Sequence, residues 1–156
     1  MKSKLILING APQVGKDTVG KRFINTSIYK MTTPTEKVFR SLFIMPDAEY
    51  LRIREQDKDI PQKILGGKSL REVFITISEE WIKPTLGKDF FGVYAGNYLK
   101  QNINSNWAIT DCGFTCEVAA LLSICSNLFD IIGITLYRPN HTFAGDSREY
   151  VDFQKL

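Results

Sequence analysis

The sequence predicts an α/β fold in which a short parallel sheet is flanked by helices, in three layers. Short apolar segments alternate along the chain with segments of helical periodicity, an order typical of parallel strands joined by right-handed crossovers. The first apolar run, at residues 5–8, has no polar interruption, as expected of a central strand buried on both faces. A chain of 156 residues is long enough to form one domain with a substantial core.

The individual elements follow from periodicity and from end signals. Ser69 followed by Glu72 is the sequence pattern of a capping box, and Pro84 is expected to end the helix that starts there. The polar residues 45–68 are interpreted as a flexible excursion inside a single domain that spans residues 1–156. Strands are predicted at about 5–8, 27–31, 107–110 and 131–137, and helices at about 16–23, 34–42, 69–82, 88–101 and 116–125.

Composition excludes several classes of protein. With 44% hydrophobic and 24% charged residues, the chain is neither disordered nor fibrous. A net charge of +3 suits a protein that handles small anions and does not by itself indicate a nucleic-acid track. The apolar run near the N-terminus is too short for a signal peptide, and no segment is long enough to cross a bilayer. Three cysteines, an odd number, argue against a disulfide framework, so we expect a cytoplasmic protein.

Residues 10–18 have the G-x-x-x-x-G-K spacing of a phosphate-binding loop, directly between a strand and a helix. Gly10 and Gly15 permit backbone angles that turn successive N–H groups toward a phosphate. Lys16 is expected to reach the β- and γ-phosphates of ATP, and the Thr18 hydroxyl to donate to the α- or β-phosphate. A Gly-rich turn without a ligand is the alternative. The residues expected to bind the nucleotide are Gly10, Gln13, Val14, Gly15, Lys16, Asp17 and Thr18.

Two carboxylates are candidates for holding Mg²⁺. Asp17 stands where this motif commonly has Ser or Thr, so its carboxylate is expected to face the ion or its waters, or to turn away in the first helical turn. Asp111 closes the predicted strand at 107–110, and ligands of open α/β sheets bind beyond the carboxyl ends of strands. Hard cations such as Mg²⁺ prefer oxygen ligands and retain most of their water. An ordinary cap of the following helix is the alternative role for Asp111.

With these residues in view, the chain resembles the phage-type deoxynucleoside monophosphate kinases, within the wider nucleoside monophosphate kinase group. The resemblance extends over nearly the whole chain, and the Asp that follows Lys16 is similar to that family's own variant of the loop. The other segments that resemble the family are Thr33-Pro34-Thr35-Glu36-Lys37 with Val38-Phe39-Arg40, Asp57-Lys58-Asp59-Ile60-Pro61, Ser69-Leu70-Arg71-Glu72, Gly87-Lys88-Asp89-Phe90-Phe91, Ile109-Thr110-Asp111, Leu136-Tyr137-Arg138-Pro139 and Asp146-Ser147-Arg148.

The resemblance implies a P-loop kinase that transfers a phosphoryl group from ATP, with Mg²⁺, to a (deoxy)nucleoside monophosphate, giving the diphosphate. It assigns the acceptor nucleotide to an insertion at about 32–68, with Lys37 and Arg40, and to Arg71 in the next helix. It also implies a mobile lid at about 138–150. If the gene belongs to a phage, the enzyme acts in the host cytoplasm. The residues expected to take part in the transfer are Lys16, Arg71, Asp111, Arg138 and Arg148.

Two features depart from the family pattern. Gly113 stands two residues after Asp111, where the family usually has Arg, so one cationic phosphate contact is missing at that position. The chain ends at Leu156, without the family's usual last strand and helix. This early end leaves room for a homodimer that completes the fold.

Two other functions are compatible with the same residues. The loop would also serve a kinase that phosphorylates a hydroxymethylated base in DNA or another small acceptor, and Asp17 or Asp111 would then act as the general base. A DNA acceptor is less favoured, because the scattered Lys and Arg residues do not suggest a wide basic surface. A nucleotide-binding regulator without turnover is the other alternative. Gly113 replaces an expected phosphate-binding arginine, and the early end removes an expected strand and helix.

Overall fold

A computed structural model describes residues 2–156 as alternating strands and helices. The strands are β1 (Lys4–Gly10), β2 (Thr26–Tyr29), β3 (Asn106–Ile109) and β4 (Asp130–Leu136). The α-helices are α1 (Lys16–Gly20), α2 (Thr33–Leu42), α3 (Asp47–Glu55), α4 (Leu70–Ile75), α5 (Lys83–Leu86), α6 (Phe90–Lys100) and α7 (Thr115–Cys125). The predictions for β2, β3, β4, α2, α6 and α7 agree with these bounds to within two residues.

The strands form one parallel sheet in the order β2–β3–β1–β4. Leu5 of β1 lies opposite Trp107 of β3 on one side and Ile131 of β4 on the other, so β1 is paired along both edges. Every connection between successive strands contains at least one helix, as parallel pairing requires. The predicted α/β class, with a parallel sheet flanked by helices, is confirmed.

Both faces of β1 are buried in the core. Side chains alternate between the faces of a strand, and on one face Ile6 and Ile8 pack with Ala108 of β3 and with Val19. Residues 5–8 are all buried, which agrees with the unbroken apolar run in the sequence. Each such side chain contributes about 1.5–3 kcal/mol relative to an exposed one. The carboxyl end of β1 is therefore a firmly positioned starting point for the loop that follows.

The described chain separates into two compact units. The first comprises the residues up to Met31 together with Lys88–Leu156, and it contains the sheet with α1, α6 and α7. The second, Thr32–Gly87, contains α2 to α5 and the helical turns between them. The insertion predicted at about 32–68 falls within the second unit, which extends further along the chain.

Helix α1 ends at Gly20, whereas the sequence predicts a helix that continues to residue 23. Glycine is a poor helix former, and a Cβ at this position would lie 2.6 Å from Thr110 Cγ2. The chain continues in tighter turns, in which the N–H of Phe23 donates to the Gly20 carbonyl oxygen at 3.3 Å. Val19 and Phe23 still pack on the core, so their spacing predicted burial correctly although the helix ends early.

The segment at 45–68 is more ordered than the sequence predicts. It contains α3 and a 3-10 turn at Lys63–Leu65. Tyr50 and Ile53 lie three residues apart on one face of α3 and are both buried, as is Leu65 in the 3-10 turn. The interpretation as a flexible excursion is wrong, because a few buried apolar side chains are enough to order an otherwise polar stretch.

The helix that begins after Ser69 differs from its prediction at one end. Ser69 and Glu72 form the expected capping box, in which Ser69 N donates to Glu72 Oε2 at 2.7 Å and Ser69 Oγ accepts from Glu72 N at 3.2 Å. Helix α4 continues through a π-helical stretch, Thr76–Ile82, into α5, so the helical path passes Pro84. Pro84 follows directly on the π-helical stretch, in which Lys83 N donates to the Ser78 carbonyl oxygen five residues back, so the α-helical i→i−4 pattern is already interrupted before the proline. Within residues 2–156, no helix combines the length and hydropathy needed to cross a membrane.

The three cysteines, Cys112, Cys116 and Cys125, are free thiols. Burial raises the pKa of Cys125 to about 11. Burial, and then the charge of Asp111, raises the pKa of Cys112 well above its ordinary value. Both of these thiols therefore stay neutral at physiological pH and pack as small apolar side chains.

Candidate functional site

The phosphate-binding loop joins the carboxyl end of β1 to the start of α1. Gly10 has a φ of 152°, and a Cβ there would lie 2.7 Å from the Leu136 carbonyl oxygen, so a side chain does not fit against β4. Gly15 precedes α1 with a φ of 96°, Gln13 has a φ of 63°, and Val14 between them is half-buried. Left-handed residues of this kind reverse the backbone over a short distance, and such turns form concavities of N–H groups that bind anions.

Lys16 lies across its own loop. Its Nζ donates to the carbonyl oxygens of Gly10 at 2.6 Å and Ala11 at 2.8 Å. Partial burial, and then the charge of Arg148, lower the pKa of Lys16. A carbonyl oxygen is a weaker partner for an ammonium than an anion is, because only the anion adds the attraction between two opposite full charges. Lys16 is thus placed to exchange these carbonyls for phosphate oxygens, and Thr18 is exposed on the same helix.

Asp17 belongs to a polar cluster with Lys30 and Thr110. Lys30 Nζ and Thr110 Oγ1 both donate to Asp17 Oδ1, and Lys30 Nζ also donates to Thr110 Oγ1 at 2.6 Å. Partial burial opposes the charged form of Asp17, but the hydrogen bonds from Lys30 and Thr110 outweigh it and lower the pKa of this carboxyl. The negative charge that the sequence puts beside the phosphate site is therefore offset by an ammonium.

Sequence reasoning missed Lys30 and Thr110, although the rule that selected Asp111 applies to both. Lys30 directly follows β2 and Thr110 directly follows β3, at the carboxyl edge of the same parallel sheet. Polar side chains at these positions are candidates for ligand contact in any open α/β sheet. Lys30 and Thr110 were counted within predicted strands, which concealed this signal.

Asp111 lies at the end of β3, next to this cluster. Its Oδ1 accepts from Met31 N at 2.9 Å. Among residues 2–156, no three His, Cys, Asp or Glu side chains are grouped to hold a metal by themselves. Mg²⁺ bound together with a nucleotide commonly uses one or two carboxylates, with phosphates and waters as its other ligands. Asp111 fits that role by its chemistry and position, whereas Asp17 would first have to release Lys30.

The two arginines predicted for a lid contact different partners. Arg138 follows β4, and its Nη1 donates to the Gln13 carbonyl oxygen of the phosphate loop at 3.3 Å. Arg148 donates to Asp146, from Nε to Oδ1 at 2.8 Å and from Nη2 to Oδ2 at 2.5 Å. The hydrogen bonding to Asp146, and more weakly the charge of Asp111, raise the pKa of Arg148.

Asn9, the residue before the loop, is a contributor that sequence reasoning missed. It is fully buried, and its Nδ2 donates to the carbonyl oxygens of Cys112 at 2.6 Å and Glu149 at 2.9 Å. Its Oδ1 accepts from Val151 N at 3.1 Å. One amide therefore joins β1, the segment after β3 and the C-terminal segment. The available signal was a polar residue at the end of an apolar strand, where burial makes hydrogen-bond partners obligatory.

Two of the three acceptor residues predicted in the second unit, Arg40 and Arg71, are paired with carboxylates. Lys37 and Arg40 line an open cavity of about 610 Å³ beside α2. Arg40 forms an ion pair with Asp47 at the start of α3. Arg71 donates to Asp59, which precedes α4. The structure thus brings Lys37 and Arg40 to one cavity, while Arg71 lies with Asp59.

No family model, curated protein or solved structure matches the chain. Its function therefore has to be inferred from the phosphate loop and the residues around it. Within the first unit, Lys16, Asp17 and Arg138 contact the loop or begin the helix after it, and Asp111 lies at the neighbouring strand end. These groups share the carboxyl edge of the sheet.

Proposed function

We propose that the protein is a P-loop kinase that transfers a phosphoryl group from ATP to a (deoxy)nucleoside monophosphate, giving the diphosphate. The observation that carries the proposal is the position of Lys16, whose Nζ lies on the carbonyl oxygens of Gly10 and Ala11. The three-layer P-loop kinase fold belongs to the same proposal. It is supported by a parallel sheet with β1 in its interior and by the loop at the carboxyl end of that strand.

Donor binding is assigned to the loop and to the cations beside it. When a triphosphate enters, Lys16 exchanges the carbonyls of its own loop for β- and γ-phosphate oxygens. Backbone N–H groups of the loop and the Thr18 hydroxyl provide the neutral donors, and Arg138 stays near the loop through Gln13. Bound Mg²⁺ supplies neutralisation of the charge on the β- and γ-phosphates. Asp111 is the residue proposed to hold a water of that ion.

The transfer step needs positioning and charge neutralisation more than covalent participation by the protein. An oxygen of the acceptor phosphate attacks the γ-phosphorus, a new P–O bond forms, and the bond to the β–γ bridging oxygen breaks, so that ADP leaves. A phosphate monoester is already an anionic nucleophile, so no general base is needed. Lys16, Arg138 and Arg148 are proposed to offset the negative charge of the transferring group.

The acceptor phosphate is assigned to cations of the second unit, with Arg71 as the first candidate and Arg40 and Lys37 as the others. Arginine suits this task because its guanidinium donates two parallel hydrogen bonds to a phosphate. Arg71 and Arg40 are paired with Asp59 and Asp47, respectively. Acceptor binding through either arginine therefore requires that arginine to change its partner.

A transfer assay tests the proposal. ATP labelled in its γ-phosphate is incubated with the full chain, Mg²⁺ and a panel of deoxynucleoside monophosphates, ribonucleoside monophosphates and duplex DNA. We expect label in one or more nucleoside diphosphates, and we expect Lys16→Ala to reduce the rate of transfer by about 100-fold or more. Label in duplex DNA would move the acceptor to a nucleic acid. ATP binding without transfer to any acceptor would contradict the kinase proposal.

A nucleotide-binding regulator without turnover is the second candidate. It is favoured by the ion pairs that occupy both acceptor arginines, Arg40–Asp47 and Arg71–Asp59. In a regulator these pairs would persist when ATP is bound, and the second unit would have no acceptor to hold. The transfer assay, run beside a direct measurement of ATP binding, separates a kinase from a regulator.

A further inference from the structure

Residues 146–153 form a C-terminal tail that is anchored to the first unit at three places. We infer that this tail supplies Arg148 as a fixed phosphate-binding cation of the loop, seated on Gly113. The inference rests on the proposed function, because it concerns the same phosphate site. It differs from a lid arginine, which would arrive only when a mobile segment closes over bound nucleotide.

The first anchor is Asn9, one residue before the phosphate loop. Its side chain donates to the Glu149 carbonyl oxygen at 2.9 Å and accepts from Val151 N at 3.1 Å. The N–H of Glu149 also donates to the Gly113 carbonyl oxygen at 2.9 Å. Arg148 directly precedes this bonded segment. Its backbone is therefore held at a set position relative to the loop before any ligand binds.

The second anchor is Gly113, which seats the Arg148 side chain. A Cβ at position 113 would lie 2.6 Å from Arg148 Cδ, 2.7 Å from Cγ and 3.1 Å from Cβ. Close-packed proteins do not accommodate carbon contacts this short. The aliphatic part of Arg148 thus occupies the space that any side chain at 113 would need. Gly113 is in this sense a positioning residue for the guanidinium.

The third anchor lies further along the tail. Phe153 packs on Gly133 of β4, where a Cβ would lie 2.5 Å from the ring. Tyr150 stacks on Tyr137 with the ring centroids 5.0 Å apart. These contacts hold the tail without touching the Arg148 side chain. Gly133 therefore offers a matched control for Gly113, since both glycines receive a tail residue and only one receives the cation.

Arg148 acts on the charges of the loop. Its charge lowers the pKa of Lys16, by an amount second only to that of burial. Two cations that repel each other gain from an anion bound between them, and a triphosphate is such an anion. Asp146 holds the Arg148 guanidinium through two hydrogen bonds. Asp146 is therefore the group that an incoming phosphate has to displace.

Calorimetric binding of inorganic tripolyphosphate and of ATP to the full chain tests the inference. Arg148→Gln is expected to weaken the binding of both ligands about tenfold, the effect of losing one charge-assisted hydrogen bond. Arg148→Lys should restore part of the affinity, because the ammonium keeps the charge. The difference in affinity between wild type and Arg148→Gln should also become smaller at high salt, because salt screens charges. A purely structural role of Arg148 would give a difference that does not depend on salt.

Three further variants test how Arg148 is positioned. Gly113→Ala should weaken binding in the same direction as Arg148→Gln, because its Cβ displaces the arginine. Gly133→Ala disturbs Phe153 alone, so it should lower Tm and leave the Kd unchanged. Asp146→Asn keeps the oxygen that accepts from Arg148 N at 2.9 Å and removes the competing charge, so binding should strengthen.

The possible outcomes separate this inference from the proposed function. Wild-type affinity in Arg148→Gln, together with lost binding in Lys16→Ala, would overturn the inference and leave the kinase proposal standing. Equal weakening by Gly113→Ala and Gly133→Ala would also overturn it, since tail docking alone would then matter. Failure of the wild-type chain to bind either ATP or tripolyphosphate would overturn both.

Discussion

Lys16 and Arg71, the first cations assigned to the donor and to the acceptor, are held in different ways. Arg148 of the first unit is paired with Asp146, so the contrast concerns Lys16. In the first unit, Lys16 donates to neutral carbonyl oxygens of the phosphate loop. In the second unit, Arg71 is paired with the carboxylate of Asp59, and Arg40 with that of Asp47. An anion that reaches Lys16 therefore competes with uncharged partners of that lysine. An anion that reaches either arginine has to displace a charged one.

This difference suits a donor site and an acceptor site. A cation that already lies in a formed loop needs little reorganisation, which favours tight binding of a triphosphate. An arginine that is paired with a carboxylate binds a new anion only when the new contacts compensate for the lost pair. Such competition weakens the binding of every acceptor by the free energy of the broken pair.

The units also differ in how far along the chain their polar contacts reach. Asn9 donates hydrogen bonds to Cys112 and Glu149, which lie 103 and 140 positions further along the chain. The second unit has local contacts such as the capping box of Ser69 and Glu72. Loss of the fully buried contacts of Asn9 should destabilise more than loss of the partly buried capping box, because it leaves more buried polar groups without partners.

The largest expected effect comes from Lys16→Ala, which removes the lysine of the proposed donor site. We expect phosphoryl transfer to fall by about 100-fold or more, as when one preorganised donor to developing charge is lost. The rate of label transfer from ATP measures this. Lys21→Ala, at an exposed lysine just after α1, is the matched control and should keep the wild-type rate. A similar loss in both variants would contradict a specific role for Lys16.

Asn9→Ala should give the largest loss of stability. It removes the bonds to Cys112, Glu149 and Val151 and leaves buried backbone groups unsatisfied, so we expect the free energy of unfolding to fall by about 2 kcal/mol. Urea denaturation measures the change. Asn104→Ala, at an exposed asparagine, should be within experimental error of wild type. An unchanged midpoint in Asn9→Ala would show that the tail is held without it.

The ion pair of Arg71 and Asp59 gives two opposite expectations. Arg71→Ala should raise the KM for the acceptor nucleotide about tenfold, through loss of a charge-assisted bond to its phosphate. Asp59→Asn should lower that KM, because Arg71 loses its competing partner. Steady-state kinetics at saturating ATP measure both variants. If Asp59→Asn raises the KM as well, the pair acts as a structural unit and the contrast between the units fails.

Ser69→Ala has the smallest expected effect. The free energy of unfolding should fall by about 1 kcal/mol at neutral pH, which is typical of a lost N-cap. Hydrogen bonds from Ser69 N and Oγ lower the pKa of Glu72. A lowered pKa in the folded state means that this contribution is present above the ordinary pKa of Glu and is lost as pH falls through the folded value.

The deficit of Ser69→Ala relative to wild type should therefore shrink in acid. Urea denaturation at pH 7 and below about pH 4 measures this dependence. Ser78→Ala is a control in the same unit. Ser78 Oγ donates to the Ile75 carbonyl oxygen at 3.5 Å, a long hydrogen bond that does not involve a carboxylate. Ser69→Ala keeps the bond from the N–H of residue 69 and removes the bond from Oγ. A deficit that is constant with pH would therefore show that the Oγ bond to the Glu72 carboxylate does not contribute.

Much of the first unit's site was predictable from short stretches of sequence. Loop spacing located Gly10, Gly15 and Lys16, and the strand-end rule located Asp111, because each depends on one strand and the residues after it. The same rule would have selected Lys30 if β2 had been predicted to end at Tyr29. The loop's neighbours on other strands are harder to predict, since their proximity depends on strand order.

The second unit was predicted less well. Helix α3 and the helical passage through Pro84 both depend on apolar side chains that are widely spaced among polar ones, such as Tyr50, Ile53 and Ile82. A sequence window does not distinguish such residues from surface positions, because their burial depends on what packs against them. The proline at 84 was interpreted by its usual effect on an α-helix, while the π-helical stretch directly before it had already interrupted the α-helical hydrogen-bond pattern.

The sequence by itself determined the α/β class, the position of the Gly-rich loop at residues 10–18 between a strand and a helix, and the capping box, because each depends on residues only a few positions apart. Only the tertiary structure decided that Asn9 joins the tail to the loop and that Arg148 packs on Gly113. Contacts between distant positions follow from the collapse of the whole core, which brings together segments that no local pattern relates. In the sequence, Gly113 stands where the family that the chain resembles usually has an arginine. In the fold, the absence of a side chain at Gly113 leaves the space that the aliphatic part of Arg148 occupies.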